Sequence, residues 1–278
     1  MKVFTTVKEL QKALKNVSRE SVGMVPTMGA LHEGHLSLVR RAKEECKTVV
    51  VSVFVNPTQF NDKNDLRNYP RTPQKDAQML EEAGVDYVLM PSVEEIYPEP
   101  DTRVFDFGMV DKVMEGASRP GHFNGVAQVV SRLFDIVKPG KAFFGEKDFQ
   151  QIAVVKAMVA QLSLPVEIVP CPIVREKSGL ALSSRNQLLD QEHRQAAPHI
   201  YAILKDAVEL SKESSVEDVC KFVSDRFQKE SSLDLIYFSL VDSLTMQNVK
   251  TWNESQSVQG CIAVQAGNIR LIDNICFR

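Results

Sequence analysis

"MVPTMGALHEGHLSLVRRA", residues 24–42, is the stretch on which the fold turns. An apolar run, Val22 to Met28, gives way to small residues and glycines and then, from Gly34, to a helical apolar pattern. His32 and His35 sit in the turn between them. Outward from this point, apolar β-branched runs alternate with amphipathic stretches, the pattern that wraps helices around a parallel sheet. Strands are expected at Val22–Met28, Thr48–Val55, Val85–Pro91, Lys141–Phe144 and Val166–Val174, each nearly continuous in apolar residues, as strands covered on both faces are. Helices are expected at Gly34–Lys47, Pro73–Ala83 (with Gly84 as its stop), Gly125–Val137 and Phe149–Gln161. The N-terminal "MKVFTTVKELQKALKNV" carries a helical pattern mixed with charge and none of the features of a secretion signal.

From about Arg175 the character changes. A polar loop, "REKSGLALSSRNQLLD", precedes helical stretches at Gln191–Leu210 and Val216–Lys229 and two strand-like runs, the second broken at Gly267-Asn268 as a hairpin would be. The expected fold is therefore α/β: a Rossmann-like parallel sheet with helices on both faces, residues 1–175, plus a smaller C-terminal α+β domain, residues 176–278, that carries the "LSSR" loop.

At 44% apolar and 25% charged residues, with no apolar run long enough to cross a bilayer, the chain has the composition of a soluble globular protein. Its five cysteines (Cys46, Cys171, Cys220, Cys261, Cys276) form no C-x-x-C pair, which suits buried thiols in a reducing cytoplasm. A net charge of −3 offers nucleic acid little to hold.

In an open parallel sheet ligands bind beyond the carboxyl ends of the strands. Here those ends read "PTMGALHEGH", "NPTQF", "GEKDFQQ" and "REKSGLALSSRN". Gly29 and Gly34 allow close backbone approach, and a helix opening near Gly34 aims N–H groups at an anion, phosphate being the obvious one. His32 and His35 can donate to phosphate oxygens, Lys147 and Arg185 supply cations, and Ser183 and Ser184 neutral donors. The pattern is neither G-x-G-x-x-G nor a Walker loop, and no further ligands at zinc spacing accompany the histidines.

"PTMGALHEGH" followed by "LALSSRN" resembles the H-x-G-H nucleotidyltransferase superfamily. With "FVNPTQF", "YPRTPQKD", "RPGHFNGVAQVVSRLF", "FFGEKDFQQ" and "RLIDN" in order, the chain is similar, over most of its length, to the pantoate-β-alanine ligase family. The resemblance implies ATP-dependent condensation of pantoate with β-alanine through a pantoyl adenylate, with Mg2+, in a cytoplasmic homodimer. It implies ATP binding by Met28, Gly29, Ala30, Leu31, His32, Glu33, Gly34 and His35, by Gly145, Glu146, Lys147 and Asp148, and by Val174, Leu182, Ser183, Ser184 and Arg185. His35, His32, Lys147 and Arg185 would be catalytic. Gln59 and Gln151 would hold pantoate, Gln59 also reaching β-alanine, and Asn56 and Tyr69 would line the same pocket. The protein ligands of magnesium stay open, with Asp76 either a contact to the ion, a group supporting its ligands from behind, or an ordinary helix-face carboxylate. The loop from Arg175 to Asn186 would close over ATP, or the second domain would be rigid and serve the dimer. Rival readings are a single-step adenylyltransferase, which would lack the "NPTQF" and "FGEKDFQQ" motifs, a silent nucleotide-binding module, and an RNA binder.

Overall fold

The computed structural model describes residues 1–278. In chain order the elements are β1 (Lys2–Phe4), α1 (Val7–Leu14), β2 (Val22–Thr27), α2 (Glu33–Glu45), β3 (Thr48–Val53), α3 (Lys63–Asn68), α4 (Pro73–Glu82), β4 (Tyr87–Leu89), α5 (Val93–Ile96), α6 (Met114–Ser118), α7 (His122–Val137), β5 (Lys141–Gly145), α8 (Phe149–Gln161), β6 (Glu167–Cys171), α9 (Gln191–Ala196), α10 (His199–Leu210), α11 (Val216–Phe227), β7 (Asp234–Asp242), β8 (Val258–Ala266) and β9 (Ile269–Cys276).

The chain divides into two compact units, residues 1–107, 119–146 and 154–172 in the first and 108–118, 147–153 and 173–278 in the second. The expected division at 175/176 falls three residues from the structural one at 172/173. Two short segments, 108–118 and 147–153, also belong to the second unit, an arrangement no single cut in the chain can express.

The first unit holds a six-stranded parallel sheet in the order β1-β4-β3-β2-β5-β6. Alternate residues of each strand point to opposite faces. Val25, Val49, Val51, Val88 and Phe143 pack with Leu38, Val39 and Ala42 of α2 and Leu80 of α4 in one buried cluster. Met24 and Val50, also without exposure, face the other way, where α7 packs on β2 and on α1. Each fully buried aliphatic side chain of this kind contributes roughly 1.5–3 kcal/mol. The chain winds outward from β2 to β4, then returns to lay β5 on the other side of β2, so β2 and β5 flank the switch point beyond which α/β sheets bind ligands.

The second unit contains the antiparallel sheet β7-β8-β9, its hairpin turning at Gly267-Asn268, packed against α10 and α11. Two expectations need correction. The N-terminal helical pattern begins with a strand, β1, three residues long and paired only with β4, too short for periodicity to reveal. The expected helix 191–210 is two helices, α9 and α10, because Pro198 has no N–H with which to continue the first. Cys46, Cys171 and Cys261 are buried as expected, and Cys276 is exposed. No helix is long and apolar enough to cross a membrane.

Candidate active site

The turn that leaves β2 is shaped by main-chain geometry. Thr27 Oγ1 donates to Ser52 O (2.7 Å) and accepts from Gly29 N (3.2 Å). Gly29 then takes φ +80 and Ala30 φ +49. A Cβ at position 29 would stand 2.9 Å from Asp76 Oδ2 and 3.0 Å from Val53 Cγ1, so glycine is required there by both backbone conformation and space. The left-handed Ala30 is held by Asp76 of α4: Oδ2 accepts Ala30 N (3.0 Å), while Oδ1 accepts Leu31 N (2.8 Å) and Thr72 Oγ1 (3.0 Å). Asp76 is 1% exposed, so it is no ordinary helix-face carboxylate, and both its oxygens are committed to the protein. The Ala30 and Leu31 side chains are buried, and what this turn can offer a ligand is main chain.

Next the chain enters α2 through a reciprocal cap. His32 Nδ1 accepts Gly34 N (3.2 Å), and His35 Nδ1 accepts the His32 N–H (3.3 Å). A ring nitrogen that accepts a main-chain N–H carries no proton, so the hydrogen-bond pattern assigns both neutral rings the Nε2–H tautomer. The imidazoles lie 4.1 Å apart between centroids, tilted by 37°. Two N–H donors thus stand at the positive end of a 13-residue helix, beside the sheet's switch point. Glu33 is exposed and paired with Arg40 along the helix.

After β3 a tight turn, Pro57–Gln59, carries Gln59. Asn56, 1% exposed, spends its side chain on this turn. Its Oδ1 accepts from Thr58 N, Thr58 Oγ1 and Tyr97 Oη, and its Nδ2 donates to Gln59 Oε1 (3.2 Å) and Gly125 O (3.1 Å). Gln59 Nε2 lies 3.2 Å from Met28 Sδ. Underneath, the Arg119 guanidinium donates to His122 Nε2 (3.2 Å), which leaves Nδ1–H to donate to Gln59 O (2.8 Å). α7 presses on the turn so closely that a Cβ at Gly125 would stand 2.4 Å from Thr58 O. Tyr69, 7% exposed, packs edge-on against Phe60 at 5.7 Å. Gly145 ends β5, the strand beside β2, and Glu146 opens the turn that follows; a Cβ at Gly145 would meet no protein atom within 4 Å. In the first unit the structure therefore brings together the loop Met28–His35 and the Asn56–Gln59 turn.

The remaining candidates belong to the second unit. Lys147 Nζ lies 3.2 Å from Asp148 Oδ1. At the start of α8, Gln150 is buried and bonded to Val110 O, Val113 O and Glu115 N, whereas Gln151, 100° round the helix, is partly exposed. Val174 and Leu182 face each other in a hairpin, Leu182 N donating to Val174 O (3.0 Å). Ser183 caps the short turn Ser184–Leu188 by accepting from Arg185 N (3.3 Å). No group of three His, Cys, Asp or Glu side chains is placed to hold a metal ion.

Sequence reasoning gave no role to Arg119, His122, Tyr97 or Gly125. The signal was present in "RPGHFNG", where polar residues and a glycine crowd the first turn of an otherwise apolar helix, but nothing in it says that the partner is Gln59.

The family model for pantoate-β-alanine ligase matches residues 2–276. A pantothenate synthetase of Porphyromonas gingivalis is 56% identical over 277 residues, covering 99% of both chains, and one of Bacteroides fragilis is 54% identical over 280 residues. Among solved structures, pantothenate synthetase from Thermus thermophilus superimposes with a TM-score of 0.93 at 45% identity, covering 99% of each chain. Pantoate-β-alanine ligase from Francisella tularensis, complexed with β,γ-ATP and β-alanine, does so at 0.84 and 35%, covering 100% of this chain and 98% of that one. With that agreement along its whole length, the chain belongs to the pantoate-β-alanine ligase family and is an enzyme of that kind.

Proposed function

We propose that the chain condenses pantoate with β-alanine in two transfers. First a pantoate carboxylate oxygen attacks the α-phosphorus of ATP; the new O–P bond forms as the bond to the β-phosphate oxygen breaks, and pyrophosphate leaves. Then the β-alanine amine attacks the acyl carbon of pantoyl adenylate, the acyl C–O bond breaks, and AMP leaves as the amine gives up its proton.

The observation that carries this reading is the reciprocal His32–His35 cap, which presents two Nε2–H donors at a helix N-terminus beyond β2. Phosphoryl-group chemistry asks a protein mainly to position reactants and neutralise charge. The loop Met28–His35 serves the phosphates, His35 donating as charge builds on the departing pyrophosphate; Lys147, Ser183, Ser184 and Arg185 add donors and cations. Gly145 and Glu146, Asp148 on the ribose, Val174 and Leu182 complete the nucleotide contacts. Gln59 and Gln151 hold pantoate, Asn56 and Tyr69 shaping the turn and pocket wall. Neutral amides suit this task, because a fixed cation would stabilise the ground-state carboxylate and blunt its attack.

Magnesium belongs to the same reading. An ion carried by phosphate oxygens and water would need no protein cage, and when bound it would supply charge neutralisation. A cytoplasmic homodimer is the proposed working form, and sedimentation at the mass of one chain would count against the dimer.

The decisive experiment follows pyrophosphate, AMP and pantothenate with ATP, magnesium and pantoate, with and without β-alanine. Sustained turnover that needs β-alanine and yields AMP plus pantothenate is expected. Pyrophosphate release indifferent to pantoate would replace this reading with another adenylyl acceptor.

A further inference from the structure

We propose that Asn274 is a positioning residue for Lys147, with Asp273 and Arg175 holding the Ser183–Arg185 stretch from the same strand; the inference rests on the proposed phosphate role of Lys147. The motif "RLIDN" ends in these two neighbours, and the reaction itself leaves them without a task.

Asn274 lies on β9 and is 3% exposed. Its Nδ2 donates to the Lys147 main-chain oxygen at 3.0 Å, across 127 residues of sequence, and its Oδ1 accepts Gln259 Nε2 from β8 at 2.7 Å. Held at both ends, the amide has one orientation, and that orientation fixes where the backbone of Lys147 sits. Asp273, its neighbour in the strand, is 5% exposed and takes the Arg175 guanidinium in a two-pronged pair, at 2.6 and 2.8 Å. Arg175 also donates to Gly179 O (3.2 Å) and Asn274 O (3.3 Å), and it lies 3.7 Å over the Tyr201 ring. Arg175 and Ala181 are bridge partners in the hairpin that leads directly to Leu182–Arg185. Successive residues of one strand therefore serve two loops, Asn274 the turn that bears Lys147 and Asp273 the hairpin that bears Arg185.

Stability alone does not call for such residues. A buried ion pair is commonly no more stabilising than apolar side chains of similar volume, and a buried amide must have its partners satisfied to avoid a penalty. What the polar pair adds is register: two cationic side chains that meet phosphate oxygens are set from one rigid strand.

The test uses the full chain and compares Asn274→Ala, Gln259→Ala, Lys147→Ala and the Asn274→Ala/Lys147→Ala double variant. Each is measured for kcat, for KM of all three substrates and for Tm. In Asn274→Ala, kcat is expected to fall on the order of 10- to 100-fold, the loss that small misplacement of a catalytic group brings, with KM for β-alanine unchanged. Gln259→Ala, which frees the amide without touching Lys147, is expected to show a smaller loss of the same kind. In the Lys147→Ala background, removing Asn274 should cost less than about 2-fold more, since coupled groups are not additive. Equal losses in both backgrounds, or wild-type kcat in both Asn274→Ala and Gln259→Ala, would overturn the inference. If Asn274→Ala does not fold, Gln259→Ala and its Lys147→Ala double decide in the same way. Wild-type turnover in Lys147→Ala would instead overturn the phosphate role of Lys147, and the inference with it, a result told apart because position 274 is then intact.

Discussion

The turn at Gly29–Leu31 is held through main-chain N–H groups by one carboxylate from α4, whereas Lys147 is held through its main-chain carbonyl by an amide from the far end of the chain. The first arrangement is compact: Asp76, Thr72 and the loop they serve lie on neighbouring parts of one α/β unit. The second gathers Lys147, Arg175, Gln259 and Asp273 from separate segments. A loop fixed by a single buried charge should fail in stability and activity together. A loop fixed by a distributed network should lose alignment first.

The largest expected effect ignores that contrast. His35→Ala and Lys147→Ala, one in each unit, should each lower kcat/KM on the order of 100- to 1000-fold, the usual result of removing one donor to developing charge. Near-normal turnover in either would remove it from the phosphate site. Asp76→Ala comes next and breaks the comparison most directly. Two buried main-chain donors lose a charged acceptor, so urea unfolding should show a loss of about 3 kcal/mol or more, with turnover falling alongside. Unchanged stability would mean the loop is held by something else.

Gln59→Ala and Gln151→Ala should raise KM for pantoate about 10-fold, the equivalent of one hydrogen bond of ~1.4 kcal/mol, and leave KM for ATP nearly as it was. Equal loss of ATP affinity would refute their assignment to pantoate. The smallest effect concerns Asp242 in the second unit. Hydrogen bonds from Ser255 and from the Thr245 N–H hold its carboxyl down at about 2. A carboxyl lowered in the folded state adds stability that is present above its unfolded value and lost as pH falls through its folded one. The Tm gap between the wild type and Asp242→Asn should therefore be steady above pH ~4.5 and close between pH ~4 and ~2. A gap that persists at pH 2 would mean shape, not charge, is responsible.

Much of this organisation was legible because it is local. Phe149–Gln161 is a helix over the residues its spacing predicts, and β2, β3 and β5 lie within two residues of their apolar runs. The start of α2 at Glu33 lies one residue from the Gly34 at which the helical apolar pattern begins, whereas the His32–His35 cap itself was not foreseen. Failures came where the partner is remote or the element brief. β1 has three residues and a neighbour eighty-odd positions on. The sequence allowed Asp76 to be a metal contact, a supporting group behind one, or a helix-face carboxylate, and the main-chain partners that decide its place lie 45 and 46 residues upstream. Asn56 spends its polar atoms on Thr58, Gln59, Tyr97 and Gly125, partners that periodicity cannot foresee.

The cap shared by His32 and His35 gives each ring two separable duties, one per nitrogen. An asparagine side chain places a polar atom near where Nδ1 lies, and a glutamine near where Nε2 lies. At position 35 the first would preserve the helix entry and abolish the donor, while the second would preserve the donor and loosen the entry. Scaffold and chemistry, fused in one imidazole, can thus be taken apart with a pair of amides.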